Sequence, residues 1–284
     1  MTLKELNLML LEMLKKANEN ENIAYFLLEH FLHYKNKLDI IEHQNDEIND
    51  CQKILEAAND YINGKPLSKI TNKAHFYGLD FIVDNNVFSP RLETELLVEI
   101  AIKKIQEKLI KTNKLNIADV CCGTGVIGLS IKSRINDIEM YQSDIDENAY
   151  FNTVKNSEQL NIKTNINLSP NLEYYYKTNT KLDVIVSNPP YISIGDIHVG
   201  NNVNKYDPLM ALYCGDNGLM VYKAILQQSL NVLNQDSFLI IFEIGYNQAE
   251  AISSFASNIY KDINIEIIKD YSGLDRILVI SKNW

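Results

Sequence analysis

The segment DVIVSNPPYIS, Asp183 to Ser193, runs a short apolar stretch straight into Asn188-Pro189-Pro190-Tyr191. Consecutive prolines end a strand or helix, because neither donates a backbone hydrogen bond and each restricts the residue before it. The strand therefore stops on an amide and a phenol carried by a stiff turn. Those groups suit chemistry on a planar NH2 group. The Asn188 side-chain oxygen can accept one N–H and the Pro189 carbonyl the other, with Pro190 stiffening the turn and the Tyr191 ring lying on the flat face. Amides and exocyclic base amines are poor nucleophiles, since the lone pair is delocalised. Positioning can supply several kcal/mol of the ~7–11 that orientation effects reach. Alone, the tetrapeptide is also a plain strand-ending turn, so its meaning depends on its neighbours.

The second cluster is IADVCCGTGVIGLS, which places Gly123-x-Gly125-x-x-Gly128 after a strand and at the opening of a helix. The spacing is that of a dinucleotide loop, with Asp144 at a suitable distance for a ribose. Two features point elsewhere. Asp119 precedes the glycines, where a carboxylate opposes a pyrophosphate and suits an amino group. Hydride transfer also has no use for Asn188 to Tyr191. S-adenosylmethionine, with an ammonium, a sulfonium and no phosphate, meets both conditions. On this reading Asp119 meets the ammonium and Asp144 takes the ribose hydroxyls. Gly123 and Gly125 let the backbone approach closely where a Cβ would collide. Asp146, rather than Asp144, caps the following helix. Cys121, Cys122, Thr124, Asn171 and Asn188 complete the expected cofactor set.

The elements that must position these groups are legible from periodicity. LKELNLMLLEMLKKANE and NIAYFLLEHFLHYKNKL repeat apolar residues at three- and four-residue spacing, and a third helical run covers about Asn45 to Asn63. FYGLDFIVDNNVFSPR reads as a hairpin around Asp84-Asn85-Asn86, followed by a helix from about Glu93 to Lys111. From Leu115 strands and helices alternate, which predicts an α/β fold with a largely parallel sheet and helices on both faces. INIEIIKDY and RILVISK are joined too tightly for a parallel crossover and should pair antiparallel.

Composition removes several classes of function. No apolar run approaches the roughly 18 residues of a membrane span, and the charged N-terminus is not a signal sequence, so a cytoplasmic protein is expected. The four cysteines show no metal or disulfide spacing. His30 and His33 share a helical face without a third ligand nearby, so no metal is expected. The net charge is −10, and only Arg91, Arg134 and Arg276 are arginines. That balance argues against direct nucleic-acid binding.

Several segments together resemble one family. NPPY after a strand, the DVCCGTG loop and Asp144 are similar to amino-methylating S-adenosylmethionine enzymes. GKPLSKITNKAHFYGLDFIVDNNVFSPRLETELLVE, YDPLMALYCGDNGL and KDYSGLDR resemble the release factor glutamine methyltransferases, from about Gly64 to the C-terminus. The resemblance implies a Rossmann-like class I methyltransferase sheet with an antiparallel last strand and a small N-terminal α-helical domain. The implied divisions are a helical substrate-recognition domain at 1–75, a β-hairpin connector at 76–92 and a methyltransferase domain at 93–284. It implies N5-methylation of the glutamine in the Gly-Gly-Gln loop of peptide chain release factors. Arg91, Glu93, Thr94 and Glu95 would stand near the methionine end of the cofactor and the substrate. Glu243, ending FLIIFE, either lines the site or is a plain strand-end carboxylate. Three positions depart from the family pattern: its first loop glycine is Cys121, the acid usual after the third strand is absent at Pro170-Asn171, and an expected aspartate is Asn217. Competing readings are amino-methylation of adenine or guanine, methylation of a ribosomal-protein glutamine, and a binding module without catalysis.

Overall fold

A computed structural model describes residues 1–34, 36–195 and 205–284. It divides into two compact units, one of residues 1–73 with 200–206, the other of 74–199 with 207–284.

The first unit is helical. Helices α1 (Leu3–Lys16), α2 (Asn22–Leu32), α3 (Lys37–Glu42), α4 (Cys51–Ile62) and α5 (Leu67–Thr71) follow in order. The third predicted run begins only at Cys51, and the short α3 precedes it. Leu3, Leu6, Leu10 and Leu14 of α1 are fully buried against Leu27, Leu28, Ile54 and Ala58. That leucine spacing puts one face of the helix on the core. A capping box starts α1: Glu5 N–H donates to Thr2 Oγ1 at 3.3 Å and Thr2 N–H to Glu5 Oε2 at 2.9 Å.

A hairpin of β1 (Lys73–Phe76) and β2 (Leu79–Ile82) begins at the boundary of the second unit and is followed by α6 (Thr94–Leu109). The hairpin turns at Tyr77-Gly78, both left-handed (φ 49° and 78°), not at Asp84-Asn86 as the sequence suggested. Two consecutive positive φ values match the twist of a two-residue hairpin; Asp84 to Val87 forms a separate turn beyond β2.

Strands β3 (Leu115–Val120), β4 (Ile138–Asp144), β5 (Asn165–Leu168), β6 (Val184–Ser187), β9 (Phe238–Glu243), β10 (Asn264–Lys269) and β11 (Asp275–Lys282) build a seven-stranded sheet, with α7 (Val126–Arg134) and α8 (Glu147–Leu160) among its connections. The strand order is β10-β11-β9-β6-β3-β4-β5. The pairs from β5 across to β9 are parallel, and β11 runs antiparallel to both β9 and β10. This is the expected α/β architecture with its antiparallel end. A two-residue pair, β7 (Ile192–Ser193) with β8 (Tyr213–Cys214), lies outside the sheet.

Alternation along the strands feeds two cores. Ile117, Val184, Val186, Leu239 and Ile241 face α6 and α7. Ala118, Ile185, Ile240 and Phe242 face the helices Met220–Val232 and Ala249–Ile259. The chain reverses direction of winding about β3, so the C-terminal ends of β3, β4 and β6 open a crevice at the switch point, where such sheets hold ligands.

Candidate active site

A cavity of about 330 Å³ occupies that crevice. Cys121, Cys122, Gly123 and Thr124 line it from the loop after β3, Asp144 from the end of β4, and Pro170 and Asn171 from the segment after β5. Asn188 to Tyr191 line it from the end of β6, with Arg91 and Thr94 across from them. The structure thus gathers most of the residues singled out above, and the volume suits one small molecule beside a substrate side chain.

The glycine loop is built differently from the sequence expectation. Cys121 and Gly123 are left-handed (φ 60° and 57°). A Cβ added at Gly123 would meet no atom within 4 Å, so the space there is open to a ligand. At Gly125 an added Cβ would sit 2.8 Å from Thr153 Cγ2, and at Gly128 it would sit 2.6 Å from Gln142 Nε2. Gly125 and Gly128 are therefore glycines for packing of the chain against itself, and Gly125 does not line the cavity.

Asp119 also departs from expectation. It shares the face of β3 that carries Ile117, so its side chain turns under α7 rather than over the strand end. It is fully buried and absent from the cavity wall. Its Oδ2 accepts from Gly128 N–H at 2.9 Å and Gln142 Nε2 at 3.1 Å, while Oδ1 has no hydrogen-bond partner. Burial pushes its carboxyl up to about 7, against the pull of those two donors. Asp119 braces the loop from beneath and, contrary to the sequence expectation, is not among the residues that line the cavity.

Asp144 stands where expected. Its Oδ2 accepts from Gly123 N–H at 2.9 Å and its Oδ1 from Asp146 N–H at 3.0 Å. Burial raises its carboxyl, opposed by those backbone donors. Asp146 caps α8 through Asn148 N–H. Burial likewise raises the Cys121 and Cys122 thiols well above their ordinary value, with Asp144 and Asp119 adding to it, so both are neutral linings.

At the Asn-Pro-Pro-Tyr turn, Asn188 Nδ2 donates to Thr94 Oγ1 at 3.3 Å, and Thr94 Oγ1 donates to Glu243 Oε2 at 2.6 Å. With its NH2 engaged there, the Asn188 amide keeps its oxygen for the cavity. Cys214 Sγ donates to the Pro190 carbonyl at 3.0 Å, and Gln248 Nε2 donates to the Tyr191 carbonyl at 2.8 Å. Among the described residues no donor reaches the Pro189 carbonyl. Burial pushes the Tyr191 phenol up to about 12, so it is neutral and serves as a surface, not a base.

The Pro-Arg-x-Glu-Thr-Glu segment divides. Arg91 lines the cavity and pairs with Asp207, Nη2 to Oδ2 at 2.6 Å, while Asp207 Oδ1 accepts from Ser89 N–H at 3.0 Å. Glu93 is exposed and outside the cavity wall. Glu95 turns away from the cavity and accepts from Tyr77 N–H at 2.7 Å, pinning the hairpin turn. Neither acid touches the site. Gln142, Asp207 and Gln248, which the sequence did not single out, support it from distant segments. Only a carboxamide or carboxylate in a buried strand or helix start marks them, and that signal does not name a partner.

The donor set fits S-adenosylmethionine. Asp144 offers a carboxylate at the cavity edge, Gly123 leaves space beside it, and Val126, Ile127, Ile145 and Ala149 supply apolar wall. Among the described residues Arg91 is the one Lys or Arg that lines the cavity, and Asp207 already holds it, so among them a pyrophosphate finds no uncommitted cation. A cationic, phosphate-free ligand is the better match.

Comparison with known proteins agrees. Residues 78–204 match the methyltransferase small domain. Over 223 residues the chain is 38% identical to the release factor glutamine methyltransferase of Clostridium botulinum, covering 78% of this chain and 77% of that one. The chain belongs to the release factor glutamine methyltransferase family. The family member of Clostridium acetobutylicum is 33% identical over 288 residues and 98% of each chain, so the family match extends through the helical unit. A ribosomal protein L11 methylase of Lactobacillus delbrueckii subsp. bulgaricus shares the fold, with a TM-score of 0.50 at 18% identity over 71% of this chain and 84% of that one. Among the described residues no helix is long and apolar enough to cross a membrane, and no three His, Cys, Asp or Glu side chains cluster as a metal site.

Proposed function

We infer that this protein uses S-adenosylmethionine to methylate N5 of the glutamine side chain in the Gly-Gly-Gln loop of peptide chain release factors. The observation that carries the mechanism is the anchored Asn188 amide: it lines the cavity, its nitrogen is held by Thr94, and among the described residues no donor reaches its oxygen. Two acceptors, Asn188 Oδ1 and the Pro189 carbonyl, then take the two N–H bonds of a glutamine amide. The bound cofactor supplies an electrophilic methyl on its sulfonium. The chain's part is to hold the amide nitrogen toward that methyl and to stack Tyr191 on the amide plane; the methylated nitrogen, now acidic, sheds its proton to solvent water. Positioning by rigid acceptors needs no strong base beforehand.

Asp144 holds the ribose hydroxyls, and the loop from Cys121 to Thr124 and Asn171 enclose the rest of the cofactor. Arg91, fixed by Asp207, shapes the substrate side. The helical unit, with Leu8, Met9 and Phe26 exposed on it, is the part assigned to holding the release factor. The net charge of −10 supports a protein substrate over a nucleic acid.

The test incubates the protein with S-adenosylmethionine and unmethylated release factor and weighs the Gly-Gly-Gln peptide. One added methyl on the glutamine is expected. Asn188→Ala should lower turnover about 10²–10³-fold, the usual cost of one preorganised hydrogen-bonding group. An unmodified peptide from folded, cofactor-binding protein overturns the substrate assignment.

A further inference from the structure

Behind the Asn188 amide lies a carboxylate that methyl transfer, as described, does not use. Glu243 ends β9 on the row of Leu239 and Ile241, the face that meets α6, and is only 2% exposed. Thr94, the first residue of α6, is 3% exposed and stands between it and Asn188.

The chain of hydrogen bonds has a direction. A threonine hydroxyl holds one proton, and an ionised carboxylate only accepts. While Glu243 is ionised, Thr94 must give its proton to Glu243 across their 2.6 Å contact, since the carboxylate only accepts. Its oxygen can then only accept, so Asn188 must offer its NH2 and present its oxygen to the cavity. Once Glu243 is protonated, it can donate to Thr94, whose own proton becomes free for the Asn188 oxygen. The reversed amide is then equally well bonded and turns an NH2 toward the substrate NH2, donor against donor. The geometry points to Glu243 as a positioning residue that acts through Thr94 to set which end of the Asn188 amide faces the cavity, so that methyl transfer is fastest with Glu243 ionised. This rests on the reading of Asn188 as a substrate acceptor given above.

The groups around Glu243 put its titration within reach. Burial raises its carboxyl to about 7, the Thr94 hydroxyl and Arg276 of β11 oppose this, Glu93 adds to it, and Asn188 opposes it. Tyr191 faces the same carboxyl, and Tyr222 donates to the Glu243 backbone carbonyl at 2.7 Å. As pH falls through that value Glu243 takes up a proton, the amide loses its fixed sense, and the rate falls.

The experiment measures kcat against pH from about 5.5 to 8.5, with release factor and cofactor both saturating so that Asp119 and Asp144 do not enter through binding. Wild type should show an acid limb near pH 7. Glu243→Gln should be pH-independent there and slower by about twofold at pH 8, since two equally bonded amide orientations leave half the sites active, with cofactor Kd within about twofold of wild type. Thr94→Val should also lose the limb, and Thr94→Ser should keep it. An acid limb unchanged in Glu243→Gln, or in Thr94→Val, overturns the inference. If Glu243→Gln fails to fold, the two Thr94 variants decide. Asn188→Ala turning over at the wild-type rate overturns the underlying reading and this one together. An inactive Asn188→Ala beside a Glu243→Gln that keeps the limb overturns this one alone.

Discussion

Replacing Asp119 by asparagine should change the sign of a stability difference with pH. The carboxyl has an ordinary value of 3.8 and is carried to about 7 by burial. Between those values the folded protein holds a proton that the unfolded chain has lost. Stability therefore falls as pH rises through that window and levels off above pH 7. The ionised, buried carboxylate costs roughly 4 kcal/mol by then. Asparagine removes that cost. Its oxygen can still accept from Gly128 and Gln142, but its NH2 would occupy the place of Oδ1, which has no partner. An orphaned buried donor costs about 1–3 kcal/mol. At pH 8 Asp119→Asn should therefore be more stable than wild type by roughly 1–3 kcal/mol. At pH 5, where Asp119 is mostly neutral and its own O–H faces the same unpartnered space, the variant should be no more stable and up to about 2 kcal/mol less so. Denaturant unfolding at both pH values reads this, with Trp284 as the reporter: it is the only tryptophan, and its indole N–H donates to the Lys104 carbonyl at 3.0 Å. Parallel stability curves for the two proteins would refute the buried, raised carboxyl. A collapse of cofactor affinity in the variant at every pH would instead return Asp119 to the ligand.

Two further substitutions test the backbone of the site. Gly218→Ala puts a Cβ 2.1 Å from the Tyr191 carbonyl oxygen at a left-handed φ of 82°. The conformation alone costs about 1–2 kcal/mol, and the displaced carbonyl should cut kcat more than about tenfold; a rate near wild type in the release-factor assay would show that the turn tolerates movement. Cys121→Gly relieves the left-handed cost at φ 60° and gives back part of it through a freer unfolded chain, for a net gain of roughly 0.5–1 kcal/mol. A lower denaturation midpoint would mean that the Cys121 side chain packs more than the structure indicates.

Much of this fold was legible because local pattern and tertiary role coincide. The strand–helix alternation after Leu115 yields the sheet, the tight Ser272-Gly273 connection yields the antiparallel end, and Asn188 to Tyr191 ends β6 at the crevice. The departures from expectation share a cause. A strand-end position suggests that Asp119 faces a ligand, yet the two-residue period of the strand puts it on the α7 side with Ile117. Motif spacing suggests a ligand contact at Gly125, yet its crowding comes from Thr153 on α8 and Gln142 on β4. Glu95 adjoins the site in sequence, but one residue along α6 from Thr94 turns a side chain by about 100°, toward the hairpin. Asp207, Gln248 and Glu243 bond Arg91, Tyr191 and Thr94, each more than fifty residues away along the chain, and no local pattern encodes such a meeting.

The prolines alone do not explain why the turn is a positioning device. A proline ring fixes its own φ near −65° and leaves ψ open, and ψ is the angle that aims a carbonyl. The Pro189 carbonyl is aimed because the next two peptide groups are held: the Cys214 thiol holds the Pro190 carbonyl, and Gln248 holds that of Tyr191. Gln248 is itself fixed by the Gly245 N–H, which donates to its Oε1 at 3.0 Å. Gly218 permits the approach, since any side chain there would displace the Tyr191 oxygen. On the other side Thr94 fixes the Asn188 amide. Among the described residues, two of the three carbonyls in the Pro-Pro-Tyr segment are committed to the scaffold and no donor reaches that of Pro189. On the proposed reading, the acceptor pair that a glutamine amide needs is set by which groups the scaffold leaves unpaired, and the residues doing the pairing, Thr94, Cys214 and Gln248, come from three separate segments.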